Sequence, residues 1–314
     1  MVDAETTANS GFRFSVDKIR NFKVRSDDVF LLTYPKSGTT WMKEILPLVC
    51  NGGDIEAIKD IPVDVRVPYL EFTISAEDDE MSRGALKSFQ VPEDLNLDEM
   101  ESPRIINSHF SKKFLPIELE EKNPKIIYIA RNPKDVAVSS YYFSQLLLAK
   151  EYKGKPANPY GNFSEFLPNF MDCKNRFQIV GYDGRQWHEH VLTWWKRRHD
   201  KNVLFLKYED MFQDLESNVG KIAKFLDIQL ADDVVKKISD HCTIGNMKKN
   251  KMATKSNYCE TTAKVKAEEG SPYVRKGGAG GWKKYFTVAE NEIFDRHYKE
   301  WMKDSDLEMT FELL

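Results

Sequence analysis

No apolar run in this 314-residue chain approaches the ~18 residues a membrane-spanning helix needs. The apolar stretch nearest the N-terminus, VFLLTY (Val29 to Tyr34), has the length of a strand. The opening MVDAETTANS is acidic and polar, unlike a secretory leader. A basic excess is also missing. Lys and Arg number 46 against 49 Asp and Glu, for a net charge of −3, which argues against a nucleic-acid partner. Cysteine is scarce. The four residues Cys50, Cys173, Cys242 and Cys259 fit no metal or redox spacing. They read as free thiols of a reducing compartment, with the cytoplasm the expected location. No acidic cluster suggests a metal site.

The composition that remains, 41% hydrophobic and 12% aromatic, suits a globular chain with a large core. No internal repeat or long linker divides it, so the expectation is one domain over 1–314, with 1–20 a flexible N-terminal segment. Strands are expected at Val29 to Thr33, Arg104 to Ser108, Ile126 to Ala130 and Val203 to Lys207. Helices are expected from Thr39 to Cys50 (kinked or cut short at Pro47), from Pro133 to about Ala149 with Asn132 as N-cap, and at Trp187 to His199, Leu215 to Phe225, Asp232 to His241 and Ala289 to Met302. The proline-punctuated section after Cys50 reads as loops. Within it, Glu77 to Glu101 reads as an exposed acidic face. Strands alternating with helices imply an α/β fold: a central, mainly parallel sheet with helices on both faces.

In such sheets ligands bind at the carboxyl ends of the strands. Past the first strand comes TYPKSGTTW. Gly38 admits close backbone approach, and the amides from Ser37 to Trp41 open a helix. Lys36 supplies charge, and Ser37, Thr39 and Thr40 supply hydroxyls, which together make an anion site. The lysine precedes the only glycine, unlike the nucleotide-kinase pattern G-x-x-x-x-G-K-[ST]. Past the second strand stands His109, and past the third Arg131, followed by Ser139 on the next helix. Far downstream, RKGGAGGW (Arg275 to Trp282) offers two cations and a glycine run. A flexible linker is the plain reading of such a run. Glycine amides and forked guanidinium groups also make an anion nest.

In order, TYPKSGTTW, PRIINSHF, RNPKDVAVS, MKKN and RKGGAGGWKKYFTVAENE resemble the cytosolic sulfotransferases along nearly the whole chain, from Val29 to about His297. The resemblance implies a P-loop-type architecture like that of the nucleotide kinases. It also implies 3′-phosphoadenosine 5′-phosphosulfate (PAPS) as donor, adenosine 3′,5′-bisphosphate (PAP) as product, and no metal. By this likeness Lys36, Ser37, Gly38, Thr39, Thr40 and Trp41 cradle the phosphosulfate and flank the adenine. Arg131, Ser139, Arg275, Lys276 and Gly277 take the 3′-phosphate, and His109 is the general base toward a hydroxyl or amine acceptor. Ser139 also restrains Lys36 before acceptor binds. The segment Lys283 to Glu292, with Thr287 and Val288, resembles the family's dimer motif, so a homodimer is expected.

The chain departs from the family pattern at three places. Asn107 stands where many members carry a lysine; its amide can donate a hydrogen bond to a sulfuryl oxygen, without the charge. In the adenine pocket, His188 and Ile244, beside Thr243, stand where aromatic rings are usual, with Trp187 as a substitute stacking surface. The acceptor is a small lipophilic alcohol, phenol or amine. Tyr69, Phe72, Phe143, Tyr152 and Tyr258 are candidate walls. A nucleotide-binding relative without turnover and a small-molecule kinase are the rival readings.

Overall fold

The computed structural model describes residues 14–92, 94–151, 161–172, 186–255, 273–275 and 277–313. Four parallel strands form one sheet in the order β2–β1–β3–β4: β1 Val29–Thr33, β2 Ile105–Ser108, β3 Lys125–Ala130 and β4 Val203–Lys207. Register pairs Val29 with Ile105 and Lys125, and Ile126 with Val203. The two-residue period of a strand sorts its side chains onto two cores. Phe30, Leu32, Ile106, Ile126 and Tyr128 join one. Val29, Leu31, Ile105, Ile127 and Ile129 join the other. Both faces are covered, which is why β1 and β3 read as unbroken apolar runs.

The Thr39–Cys50 helix keeps Pro47 inside it without ending there. The Pro133–Glu151 helix starts as expected, with Asn132 Oδ1 accepting from the Asp135 amide at 2.9 Å. The Trp187 helix is shorter than expected and stops at Trp195. Three readings are corrected. The section after Cys50 holds short helices at Val63–Arg66, Leu70–Ser75 and Glu80–Ser88. The acidic stretch is only partly a solvated face, because Asp79 is buried and accepts from the Ser82 amide and hydroxyl (both 2.7 Å). Of the expected flexible segment, residues 1–13 lie outside the described residues, and residues 14–20 are packed: Val16–Arg20 is helical, and Phe14 and Ile19 are buried. Phe14 lies edge-on to Phe72 and Phe110.

Candidate active site

Everything chemical gathers at the carboxyl edge of this sheet. Lys36 adopts φ 70°, a left-handed conformation costly for a long side chain, and Gly38 follows at φ 111°. Glycine at 38 is required twice over: a Cβ there would approach Tyr208 Cδ2 to 2.8 Å. The loop then enters the Thr39–Cys50 helix, where the Trp41 and Met42 amides both donate to the Gly38 carbonyl. Ser37 is buried, with its hydroxyl unpartnered.

Arg131 joins the two segments that the sequence assigned to separate anion sites. Its guanidinium donates to the Lys36 carbonyl at 3.4 Å and to the Gly278 carbonyl at 3.1 Å, and lies 4.3 Å from the Tyr208 ring. Its Nε is buried and unpartnered. The Lys36 ammonium rests on the Phe143 ring at 3.9 Å. Burial depresses its pKa to about 7, and Lys255, Arg131 and Arg275 push the same way. Among the described residues no carboxylate pairs with Lys36 or Arg131.

The glycine run is partly occupied by the protein itself. Asp135 accepts from the Gly280 and Trp282 amides, both at 2.9 Å. The Trp282 indole donates to the Phe311 carbonyl at 2.8 Å, and Lys283 pairs with Glu312. Gly277, at φ 71°, packs on Ile244, where a Cβ would clash at 2.6 Å. Arg275 lies over Tyr142 at 4.7 Å. Ser139 is half-buried on the second turn of its helix. Lys276 lies outside the described residues, as do Tyr152 and Tyr258.

Of the expected adenine contacts, Trp41 is buried, donates to the Cys242 carbonyl at 2.7 Å and meets Tyr208 edge-on at 5.3 Å. Thr243 donates to the Asp240 carbonyl and stands at the start of the Ile244–Met247 helix without a side-chain cap. His188 stacks on Trp301 (5.0 Å, 11°) and not on any residue from Lys36 to Trp41. Trp187 is no open platform. It is buried and donates to the Arg131 carbonyl at 3.1 Å. The ring that sits between Trp41 and Arg131 is Tyr208, which sequence reasoning passed over. Its signal was present, for it is the first residue past β4.

His109 is buried just past β2. Its Nδ1 lies 2.9 Å from the Thr33 carbonyl and 2.9 Å from the Thr33 hydroxyl. A carbonyl only accepts, so Nδ1 carries the proton and Nε2 keeps its lone pair. Burial lowers the imidazole pKa to about 3, with Lys43, His190 and Lys36 adding to it, so the ring is neutral. The His109 amide donates to Glu71 Oε1 at 2.9 Å, and burial raises the Glu71 carboxyl to about 7. Asn107 is fully buried, and neither amide atom has a partner.

From His109 a band of rings leads to Lys36. Tyr69 stands 5.3 Å from the imidazole, then come Phe89, Tyr273 and Phe143 at successive separations of 6.5, 6.4 and 5.8 Å. Phe72 belongs to the core instead. Beneath the band, Asp64 pairs with both Lys43 (3.0 Å) and Lys255, all three buried.

The family model described as "Sulfotransferase domain" matches residues 26–306. The chain belongs to the sulfotransferase family. It is 39% identical to human "Sulfotransferase 1E1" over 297 residues, covering 95% of this chain and 91% of that protein. Two solved structures share its fold. A retinol dehydratase in complex with androsterone and the inactive cofactor PAP matches at TM-score 0.76 and 28% identity, covering 95% of this chain and 89% of the other. Mouse sulfotransferase SULT7A1 complexed with PAP matches at TM-score 0.65 and 30% identity, covering 94% and 93%. This sulfotransferase is therefore a single α/β domain that draws on PAPS. The unpartnered Ser37 hydroxyl and Arg131 Nε, beside a Lys36 and an Arg131 that pair with no carboxylate among the described residues, fit such a polyanionic donor.

Proposed function

We propose that this sulfotransferase transfers a sulfuryl group from PAPS to a hydroxyl or amine of a small lipophilic acceptor, with His109 as general base. One observation carries the reading: the imidazole is fixed through Nδ1, which leaves the proton off Nε2, at the head of an aromatic band that ends on Lys36, a cation with no carboxylate partner among the described residues. The donor supplies an activated sulfuryl group and a phosphate leaving group. The chain's residues do the rest. Lys36 and the amides from Ser37 to Trp41 hold the 5′ end, and Lys36 balances charge that develops on the leaving oxygen. Arg131, Ser139, Arg275, Lys276 and Gly277 hold the 3′-phosphate. Trp41, Tyr208, Thr243 and Ile244 border the base. His109 takes the acceptor's proton at Nε2, and the buried Asn107 amide offers a hydrogen bond on the same edge. Tyr69, Phe89, Phe143 and Tyr273 form an apolar wall for a lipophilic acceptor.

The enzyme acts in the cytoplasm. It pairs as a homodimer through Lys283 to Glu292, where Val288 is 77% exposed next to a capped helix start at Thr287. Incubation with labelled PAPS, a phenol, alcohol and amine panel, and EDTA tests the chemistry. His109→Ala is expected to lose transfer by about 10²–10⁴-fold while PAP still binds. Full transfer by that variant would overturn the role of His109. PAP binding no tighter than 5′-AMP would overturn the 3′-phosphate assignment.

A further inference from the structure

Behind the imidazole lies a chain of hydroxyls that the transfer itself does not require. Thr33, the last residue of β1, is fully buried. Its Oγ1 lies 2.9 Å from His109 Nδ1 and 2.8 Å from the hydroxyl of Thr39, the first residue of the phosphate-loop helix. Thr39 is buried as well. Two threonines thus join the general base to the loop that holds the donor's 5′ end.

The direction of the chain follows from its ends. His109 Nδ1 must donate, because the Thr33 carbonyl sits 2.9 Å away and can only accept. Thr33 Oγ1 therefore accepts from the ring, and its own proton is free to go to Thr39. The Thr39 hydroxyl is then left to donate outward, toward whatever anion the loop holds. Hydrogen bonds aligned head to tail polarise one another. An anion accepting from Thr39 strengthens the whole series, draws the Nδ1 proton away from the ring, and makes Nε2 more basic.

We propose that Thr33 is a positioning residue that couples occupancy of the phosphate loop to the basicity of His109, so the base is activated only when donor is in place. This rests on the reading of His109 as base and of Thr39 as a phosphate contact. No proton travels along the chain; each hydroxyl only turns and polarises. Other charged or titratable groups face the imidazole: Lys36 from the loop, Lys43 from its helix, Glu71 through the His109 amide, and His190, whose Nε2 lies 3.2 Å from the His109 carbonyl. A Thr33→Val change leaves all of them in place, keeps the carbonyl bond to Nδ1, and removes only the hydroxyl link.

The test compares wild type, Thr33→Val and Thr33→Ser by two independent readouts. The first is the His109 Nδ1–H proton resonance in histidine-labelled protein, assigned by its loss in His109→Ala, with and without PAP. In wild type and Thr33→Ser this resonance moves downfield on PAP binding; in Thr33→Val the movement is lost although calorimetry gives unchanged PAP affinity. The second is the pH profile of kcat. Thr33→Val is expected to lose about tenfold in kcat with donor KM unchanged, and its acid limb moves to lower pH, while Thr33→Ser keeps both. An equal PAP-induced shift in Thr33→Val overturns the proposal. So does a kcat loss that is the same at every pH, or one that serine does not restore. If His109→Ala keeps full transfer, the general-base reading fails first; if it is inactive and Thr33→Val behaves as wild type, only the coupling fails.

Discussion

The carboxyl edge of the sheet holds two sets of cations, one half-buried and one buried, and the protein treats them in opposite ways. On the donor side, Lys36 and Arg131 crowd together with Arg275 and Lys255 without a carboxylate for either of the first two among the described residues, and Lys36 falls to a pKa of about 7. Beneath the ring band, Lys43 and Lys255 share Asp64, whose carboxyl stays low despite its burial because both ammonium groups hold it ionised. Unneutralised charge costs folding energy and persists where a ligand completes it; neutralised charge belongs to the frame. Lys255 takes part in both sets, paired with Asp64 while pressing on Lys36. The two sites are therefore electrically joined.

That contrast can be broken by experiment. The largest effect belongs to the frame: Asp64→Asn leaves two lysines without their counterion and is expected to cost about 3–5 kcal/mol of stability, read by chemical denaturation. An unchanged midpoint would erase the distinction. Next, Lys36→Met removes a charge that the free protein bears at a cost. Its apo stability is expected to hold or rise, while transfer falls by about 10²–10³-fold, or roughly 2.7–4 kcal/mol. A marked loss of apo stability would place Lys36 in the frame. Arg131→Met should weaken PAP by about 1.5–3 kcal/mol and narrow its advantage over 5′-AMP, as measured by competition calorimetry.

The smallest effect concerns protons. Lys36 is depressed in the folded, free protein and regains its usual affinity for protons beside a bound phosphate. PAP binding should therefore take up a fraction of a proton between pH 7 and the ordinary lysine range, and affinity should fall as pH rises through that window. The sign for stability is the reverse: the unfolded chain holds more protons here than the folded one, so in this window the apo protein gains stability from Lys36 as pH rises. Calorimetry in buffers of different ionisation enthalpy reads the uptake directly, and proton release would contradict the depressed lysine.

Local features were legible in the sequence and assembled ones were not. The spans Val29–Thr33 and Val203–Lys207 agree with their apolar runs to the residue; for β1 the cause is burial on both faces, the usual signature of a parallel strand. The loop from Lys36 to Trp41 was readable because strand, turn and helix are contiguous. Applying the strand-end rule to three strands found Lys36, His109 and Arg131; extending it to β4 would have found Tyr208. The short helices between Val63 and Ser88 were hidden by prolines and acidic residues, since a helix of four to nine residues shows too little periodicity to outweigh them. Asp64 and Lys255 meet across the fold, and the spacing of the chain carries no mark of that pairing. The same holds for Asp135, which fills part of the glycine run that the sequence offered wholly to a ligand.

The clasp between Trp282 and Phe311 spans 29 positions of chain and braces the glycine strip that follows Arg275. Substitutions in that tail lie outside the residues proposed to hold donor and acceptor. A mutational survey scored only by donor KM would nevertheless flag them as lesions of the nucleotide pocket, and only a parallel thermal melt would sort the brace from the grip.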